Sequence, residues 1–344
     1  MTLCCSNCFH DSAIIKTIGL NHTNDRCGYC KKENAFTINP KDLSRFFEPF
    51  LGIVVESEKG ELLSDILQNT FNIFNEKIHN TKKLLGEILG NEYIIKKYLL
   101  KEDYLGHISK WEEFKKEIKF KNRFFPKNSI YSSLFNIQNN NADEDFFQII
   151  EQLKVKYDKD EFFFRARIHE HQLEKTKMGK PPAGNATAGR ANPIGISYLY
   201  LANNEETCIS EVRPNNTSII YISKLILEED VSLIDLTSPR KKISICSFDE
   251  TRYNNVISIL NLLEMLSSEL SKPVRPESSN IDYIPTQFLC EFLKSFSNCD
   301  GIIFESSFGM GKNFVFYDDL CFKIEDPISY KITEIVHSFE KITT

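Results

Sequence analysis

Apolar residues recur at three- and four-residue steps through much of residues 43–111. Leu62, Leu63, Ile66, Leu67, Phe71 and Phe74 share one helical face, and Leu84, Leu85, Ile88 and Leu89 form a second such group. Gly90 stops that helix and Asn91 follows it. Residues 128–142 are rich in Asn and Ser, lack periodicity and read as a linker. A helix is expected over 143–157, with Phe146, Phe147, Ile149, Ile150 and Leu153 on its apolar side. Past Asp158 the pattern changes to short apolar runs separated by loops, at 162–167, 197–201, 218–223, 231–236, 301–304, 313–317 and 320–324. Their length and β-branched or aromatic content predict strands, interrupted by helices over 253–270 and 283–297.

Strands and helices do not alternate strictly, so the fold class is α+β and not a doubly wound parallel sheet. Three parts are expected: a short cysteine-rich segment at 1–36 with no long apolar period, a helical domain at 37–157, and a domain of mixed β-sheets with flanking helices at 158–344. No internal repeat is visible.

Composition narrows the function. The 344 residues are 41% hydrophobic and 26% charged, as in ordinary globular proteins. A net charge of -6 makes nucleic acid an unexpected partner. No apolar run is long enough to span a bilayer, and the N-terminus lacks the regions of a signal peptide, so a cytoplasmic protein without a membrane partner is expected. Of the ten cysteines, Cys208, Cys246, Cys290, Cys299 and Cys321 are scattered and read as small buried hydrophobes. The other five lie within the first thirty residues. Cys5-x-x-Cys8 and Cys27-x-x-Cys30 are two knuckles eighteen residues apart, a spacing that brings four soft ligands to one tetrahedral zinc. With every position filled by protein, that zinc is structural. Cys4, His10 and His22 are alternative ligands or bystanders.

Candidate chemistry clusters after residue 162. The aromatic strand Phe162-Phe-Phe-Arg165-Ala-Arg167 ends in two arginines that alternation sends to one face, where they could hold a pyrophosphate. A loop of small residues leads to Gly189-Arg190-Ala-Asn192, and Tyr198 and Tyr200 share a face of the next strand. Asn204 caps a short helix on which Glu211 follows Cys208 by three residues, at the edge of the apolar stripe. An inward carboxylate needs a cationic partner. Each signal alone has a bland reading: a solvated strand end, a flexible connector, core tyrosines, a structural ion pair. The spacing from Arg165 to His171 fits a HEPN ribonuclease only loosely and starts in a strand, where a long helix is needed. His169 and His171 read as solvated loop residues. Gly309-Met-Gly311-Lys312 is not a P-loop, because Ser306 stands where its first glycine should be.

In order, these elements resemble the RES domain, a family named for its Arg, Glu and Ser residues. The match runs through Phe164-Arg165-Ala-Arg167, Gly189-Arg190-Ala-Asn192, Tyr198-Leu-Tyr200-Leu-Ala202 and Glu206-Thr-Cys-Ile-Ser-Glu211-Val. It resumes at Asp300-Gly301-Ile-Ile-Phe-Glu-Ser306 and Gly311-Lys-Asn313-Phe-Val-Phe316. Members of that family are toxins of bacterial toxin–antitoxin pairs, partnered by Xre-type antitoxins. They degrade NAD by phosphorolysis or hydrolysis on a fold related to ADP-ribosyltransferases.

The resemblance implies an NAD glycohydrolase or NAD phosphorylase, acting as a toxin or phage-defence effector, with NAD as substrate and an antitoxin or other regulatory protein as partner. Homo-oligomerisation is left open. It implies Glu211 as the carboxylate at the reacting ribose, Arg165 and Arg190 as anion clamps, and Ser306 as an orienting hydroxyl with Ser307 as its one-residue rival. Arg167, Tyr198, Tyr200 and Asn192 are the expected substrate-binding residues. A protein ADP-ribosyltransferase and a non-catalytic sensor are the alternatives. The knuckles at Cys5, Cys8, Cys27 and Cys30 are similar to a zinc-bearing segment found ahead of some RES and HEPN domains. About 150 residues precede the region of resemblance, unlike in the short toxins, and they suit control of when the chemistry happens.

Overall fold

A computed structural model describes residues 2–101, 106–135, 144–272 and 279–335. The chain divides into two compact units. The first comprises Met1–Lys116, Pro126–Gln152 and Ser238–Glu264, and the second Glu117–Phe125, Leu153–Thr237 and Met265–Thr344.

In the first unit, β1 (Cys4–Cys5), α1 (Ser12–Leu20), β2 (Thr23–Asp25) and β3 (Ala35–Ile38) build a small antiparallel sheet of order β1-β3-β2. The helix α1 lies where no apolar period was expected. It needs only Ile14 and Ile18 to bury, and Asp11 caps it by accepting from the backbone N–H groups of Ala13 and Ile14 at 2.9 and 3.3 Å. The Asp11 carboxylate also accepts from Ser244 Oγ at 2.7 Å and the Cys246 N–H at 3.2 Å, which satisfies a buried charge.

Helices α2 (Ser44–Ile53), α3 (Leu63–Asn69), α4 (Thr81–Leu89) and α5 (Asn91–Ile94) follow. Phe9, Phe47 and Phe74 pack with ring centroids 5.6–6.3 Å apart. As expected, α4 ends at Gly90, whose φ of 125° suits glycine alone. The apolar run from Leu62 to Phe74 is not one helix: α3 stops at Asn69, and Phe71 and Phe74 are buried from the turn beyond it. Nor is this region purely helical. Strand β4 (Val54–Leu62) pairs antiparallel with β5 (Lys97–Leu100).

Two helices, α6 (Gly106–Phe120) and α7 (Glu144–Leu153), complete this stretch. The expected linker at 128–142 is corrected over its described part. Tyr131–Phe135 form a single π-helical turn that buries Leu134 and Phe135, while 136–142 lie outside the described residues. Helix α7 also ends four residues before the expected position. There the chain turns into β6 (Lys154–Tyr157), a short edge strand.

The second unit is organised by a nine-stranded sheet. Its strands are β6, β7 (Phe162–Ile168), β8 (Leu199–Ala202), β9 (Ile219–Leu227), β10 (Val231–Asp235), β11 (Gly301–Glu305), β12 (Lys312–Phe316), β13 (Phe322–Ile324) and β14 (Ile328–Lys331). Helix α8 (Glu205–Glu211) joins β8 to β9. Between β10 and β11 the chain passes through α9 (Pro239–Lys242), α10 (Tyr253–Ser271), α11 (Ser279–Asp282) and α12 (Ile284–Phe296).

The strand order is β13-β9-β7-β8-β12-β11-β10-β6, with β14 paired to β9. Among the described strands only β10 and β11 run parallel, and parallel neighbours require such a crossover. The α+β class expected from the sequence is therefore the one observed. One face of the sheet buries Phe163, Leu199, Leu201, Leu225, Phe314 and Phe316 in a continuous core. The other packs Ala166, Ala202, Ile220 and Ile222 against Cys208 of α8. No helix of the described residues is long and apolar enough to cross a membrane.

Candidate active site

Strands β7 and β9 pair along seven residues, from Phe162 with Ile226 to Ile168 with Ile220. On its other edge β7 meets β8 at a single pair, Phe164 with Ala202. The two strands part beyond that point, and a cavity of about 530 Å³ opens beside them. Its size suits a small-molecule ligand. Arg165 and Ala166 line it from β7, Tyr200 and Ala202 from β8, and Glu211 from the last turn of α8.

Glu211 is the most constrained of these groups. Its Oε1 accepts from Ser306 Oγ at 2.6 Å and from Asn313 Nδ2 at 2.7 Å. Among the described residues Oε2 has no hydrogen-bond partner. Ser306 Oγ accepts in turn from the backbone N–H groups of Phe308 and Gly309 at 3.2 and 3.1 Å. The hydroxyl thus ties the carboxylate to the loop after β11. The one base that contacts Ser306 Oγ among the described residues is the Glu211 carboxylate itself, so no separate base stands ready to activate the serine while it holds that carboxylate in place.

Arg190 is buried and held at both ends of its guanidinium. Nη1 donates to the Leu270 carbonyl, and Nη1 and Nη2 reach Ser307 Oγ at 3.5 and 3.4 Å. The two neighbouring serines therefore divide the work: Ser306 serves Glu211 and Ser307 serves Arg190. The Arg190 backbone is fixed as well, its carbonyl accepting from Thr286 Oγ1 at 2.6 Å.

Arg165 is the opposite case. Among the described residues its buried Nη1 has no hydrogen-bond partner. Burial, with Arg167 adding repulsion and Asp319 opposing it, pulls its guanidinium down to about 9. A cation left unpaired inside a cavity could be satisfied by an anionic ligand group.

Three expected ligand-binding residues occupy other places. Asn192 builds the loop: Nδ2 donates to the carbonyls of Thr187, Pro193 and Ile196, and Oδ1 accepts from the Tyr200 hydroxyl at 2.7 Å. The same hydroxyl accepts from the Ala191 N–H at 3.1 Å. Tyr200 consequently offers its ring to the cavity, and its hydroxyl is spent on the loop. Arg167 donates to the Gly179 carbonyl at 3.2 Å, outside the cavity. Tyr198 is also outside, its ring 5.1 Å from that of Tyr317 with Lys294 Nζ 4.8 Å above it. It precedes β8, so strand alternation does not carry it to the face that Tyr200 occupies.

Gly189 is required here, because a Cβ would collide with Asn192 Oδ1 and the Tyr200 hydroxyl. Gln287 Nε2 clamps the same turn through the Gly189 and Asn192 carbonyls at 2.8 and 3.0 Å. Sequence reasoning did not single out Asn313, Gln287 or Arg213, which also lines the cavity. Asn313 had a signal, a polar residue opening the apolar run Asn313-Phe-Val-Phe. Gln287 and Arg213 had none.

In the first unit, the sulfur atoms of Cys5, Cys8, Cys27 and Cys30 all lie within 4.8 Å of one another. Strand β3 pairs with both β1 and β2, which brings the two turns together. Cys5 and Cys30 Sγ are 3.4 Å apart and Cys8 and Cys27 Sγ 3.5 Å, near the roughly 3.8 Å edge of a tetrahedral thiolate site with bonds of about 2.3 Å. The N–H groups of Tyr29 and Cys30 donate to Cys27 Sγ at 3.4 and 3.5 Å, as expected where a thiolate needs support. These four residues could hold a metal ion.

Comparison with known proteins bears on the second unit. No curated protein sequence matches the chain. Among solved structures, the chain is similar to one from the "M.tuberculosis MbcT-MbcA toxin-antitoxin complex", at 14% identity and a TM-score of 0.32, over 55% of this chain and 93% of that one. The RES domain family matches residues 163–335, from β7 past β14, a span that holds every cavity residue named above. The chain belongs to the RES domain family.

Proposed function

We propose that the cavity binds NAD and that the protein cleaves the bond between nicotinamide and ribose. The observation that carries this reading is the Glu211 carboxylate, held through one oxygen by Ser306 and Asn313 while the other is left to the cavity. As the bond breaks, its electron pair leaves with the nicotinamide nitrogen and positive charge grows on the ribose. A fixed carboxylate beside that carbon stabilises the charge without having to reorganise. Arg165 and Arg190 hold the diphosphate, one relieved of its unpaired burial and the other positioned in advance by Leu270 and Ser307. The ring of Tyr200 packs against the nicotinamide ribose. Water or inorganic phosphate then adds to the ribosyl carbon and gives up a proton.

This chemistry suits a toxin or defence effector restrained by a regulatory protein, as the family resemblance implies. The four clustered thiols hold a structural zinc, which supplies no open coordination position and takes no part in the reaction.

Replacing Glu211 by Gln keeps the hydrogen-bonding shape and removes the charge. NAD loss, followed by NMR of the purified full chain, falls by at least about a thousandfold, with an unchanged circular dichroism spectrum. Full turnover by Glu211→Gln would refute the assignment. Running the wild type with and without phosphate identifies the acceptor, as ADP-ribose or its 1-phosphate.

A further inference from the structure

Arg213 lies two residues past the end of α8, just after its C-cap Val212, with φ of 49°, a left-handed conformation in which arginine is strained and glycine is not. Among the described residues its guanidinium has no hydrogen-bond or ion-pair partner. It lies 4.3 Å from the centroid of the Phe308 ring, and the guanidinium of Arg190 stands 6.0 Å from the same ring. Arg213 also lines the cavity. A left-handed backbone at a residue whose guanidinium rests only on the Phe308 ring, with no hydrogen-bond or ion-pair partner among the described residues, points to a use for its side chain. The cavity then counts three arginines, Arg165, Arg190 and Arg213, against the single carboxylate of Glu211. That excess suits a ligand carrying two negative charges.

We propose that Arg213, seated on Phe308, is a third anion-binding residue that engages the diphosphate of the bound nucleotide from the solvent side. Both guanidinium groups border the Phe308 ring, and both residues line the same cavity. This assignment rests on the nucleotide reading of the cavity. The competing role is a surface cation that merely complements the C-terminal dipole of α8.

The two roles separate in one experiment. The full chain carrying Glu211→Gln, which does not turn NAD over, is titrated with NAD, ADP and adenosine by calorimetry, alone and combined with Arg213→Gly or Arg213→Lys. Glycine adopts the left-handed backbone without strain, so Arg213→Gly keeps or raises the melting temperature. NAD and ADP are expected to bind it on the order of tenfold more weakly, while adenosine binds equally. Arg213→Lys falls between, and the difference shrinks as salt is raised. Equal affinity of NAD for the Arg213→Gly protein and its parent would overturn the Arg213 assignment and leave the nucleotide reading intact. Absence of NAD and ADP binding to the parent would overturn both.

Discussion

Single residues decide the chemistry by what their atoms have left to offer. Among the described residues, the side chains of Glu211 and Arg190 are each held by two partners, whereas Arg165 keeps a buried Nη1 with none. A fold tolerates such a cation when ligand binding compensates for it. Arg165→Met is therefore expected to abolish NAD binding while stabilising the free protein by about 1–3 kcal/mol, since it exchanges an unpaired buried charge for a packed apolar chain. Calorimetry and thermal denaturation of the same protein check both halves. Burial disfavours the charged guanidinium, so its cost to the folded state persists throughout the ordinary pH range, and Arg165→Met relieves it.

At the scale of elements, the parting of β7 and β8 creates the cavity, and the turn at Gly189 shapes its rim. Gly189→Ala drives a methyl group into Asn192 Oδ1 and the Tyr200 hydroxyl. We expect a loss of about 1–3 kcal/mol in stability and a higher KM for NAD, read by denaturant titration and initial rates. Most strands of the second unit were legible because their apolar runs are short and bounded by loops. Strand β6 was not. Leu153 and Tyr157 continue a four-residue step, so Lys154–Tyr157 read as more helix, although Lys-Val-Lys-Tyr also alternates. Pairing with β10 settles which period applies, and that partner lies more than seventy residues away. The antiparallel pairing of β4 and β5, strands more than thirty residues apart, was missed for the same reason.

At the scale of the whole chain, the two compact units present separate chemistries, four clustered thiols in the first and the cavity in the second. Zinc, if it is the resident ion, is expected at about one per chain by elemental analysis, with the four thiols shielded from alkylation until a strong chelator is added. Chelation should then unfold the segment around β1, β2 and β3, read as lost amide protection at residues 4–38. Substoichiometric metal in protein purified under reducing conditions would count against the site. The first unit also draws residues from three stretches of chain, including Ser238–Glu264. Nothing in the composition of residues 238–264 announces that return, because what joins them to the first unit is contact with residues distant in sequence.

What the sequence determined by itself was local: the spacing of the knuckles, the periods that make most helices and strands, and the ordered residues that place the chain in its family. Those depend on neighbours a few positions apart. Tertiary structure alone decided how the site residues are used. Strand alternation could bring Tyr200 to a face, but only the partner Asn192 shows that its hydroxyl is occupied and its ring is free. Ser306 and Ser307 are indistinguishable in sequence, and they diverge because Glu211 and Arg190 approach them from 95 and 117 residues away. Hydrogen bonds depend on fixed direction and distance across such gaps, and those are set by the sheet as a whole.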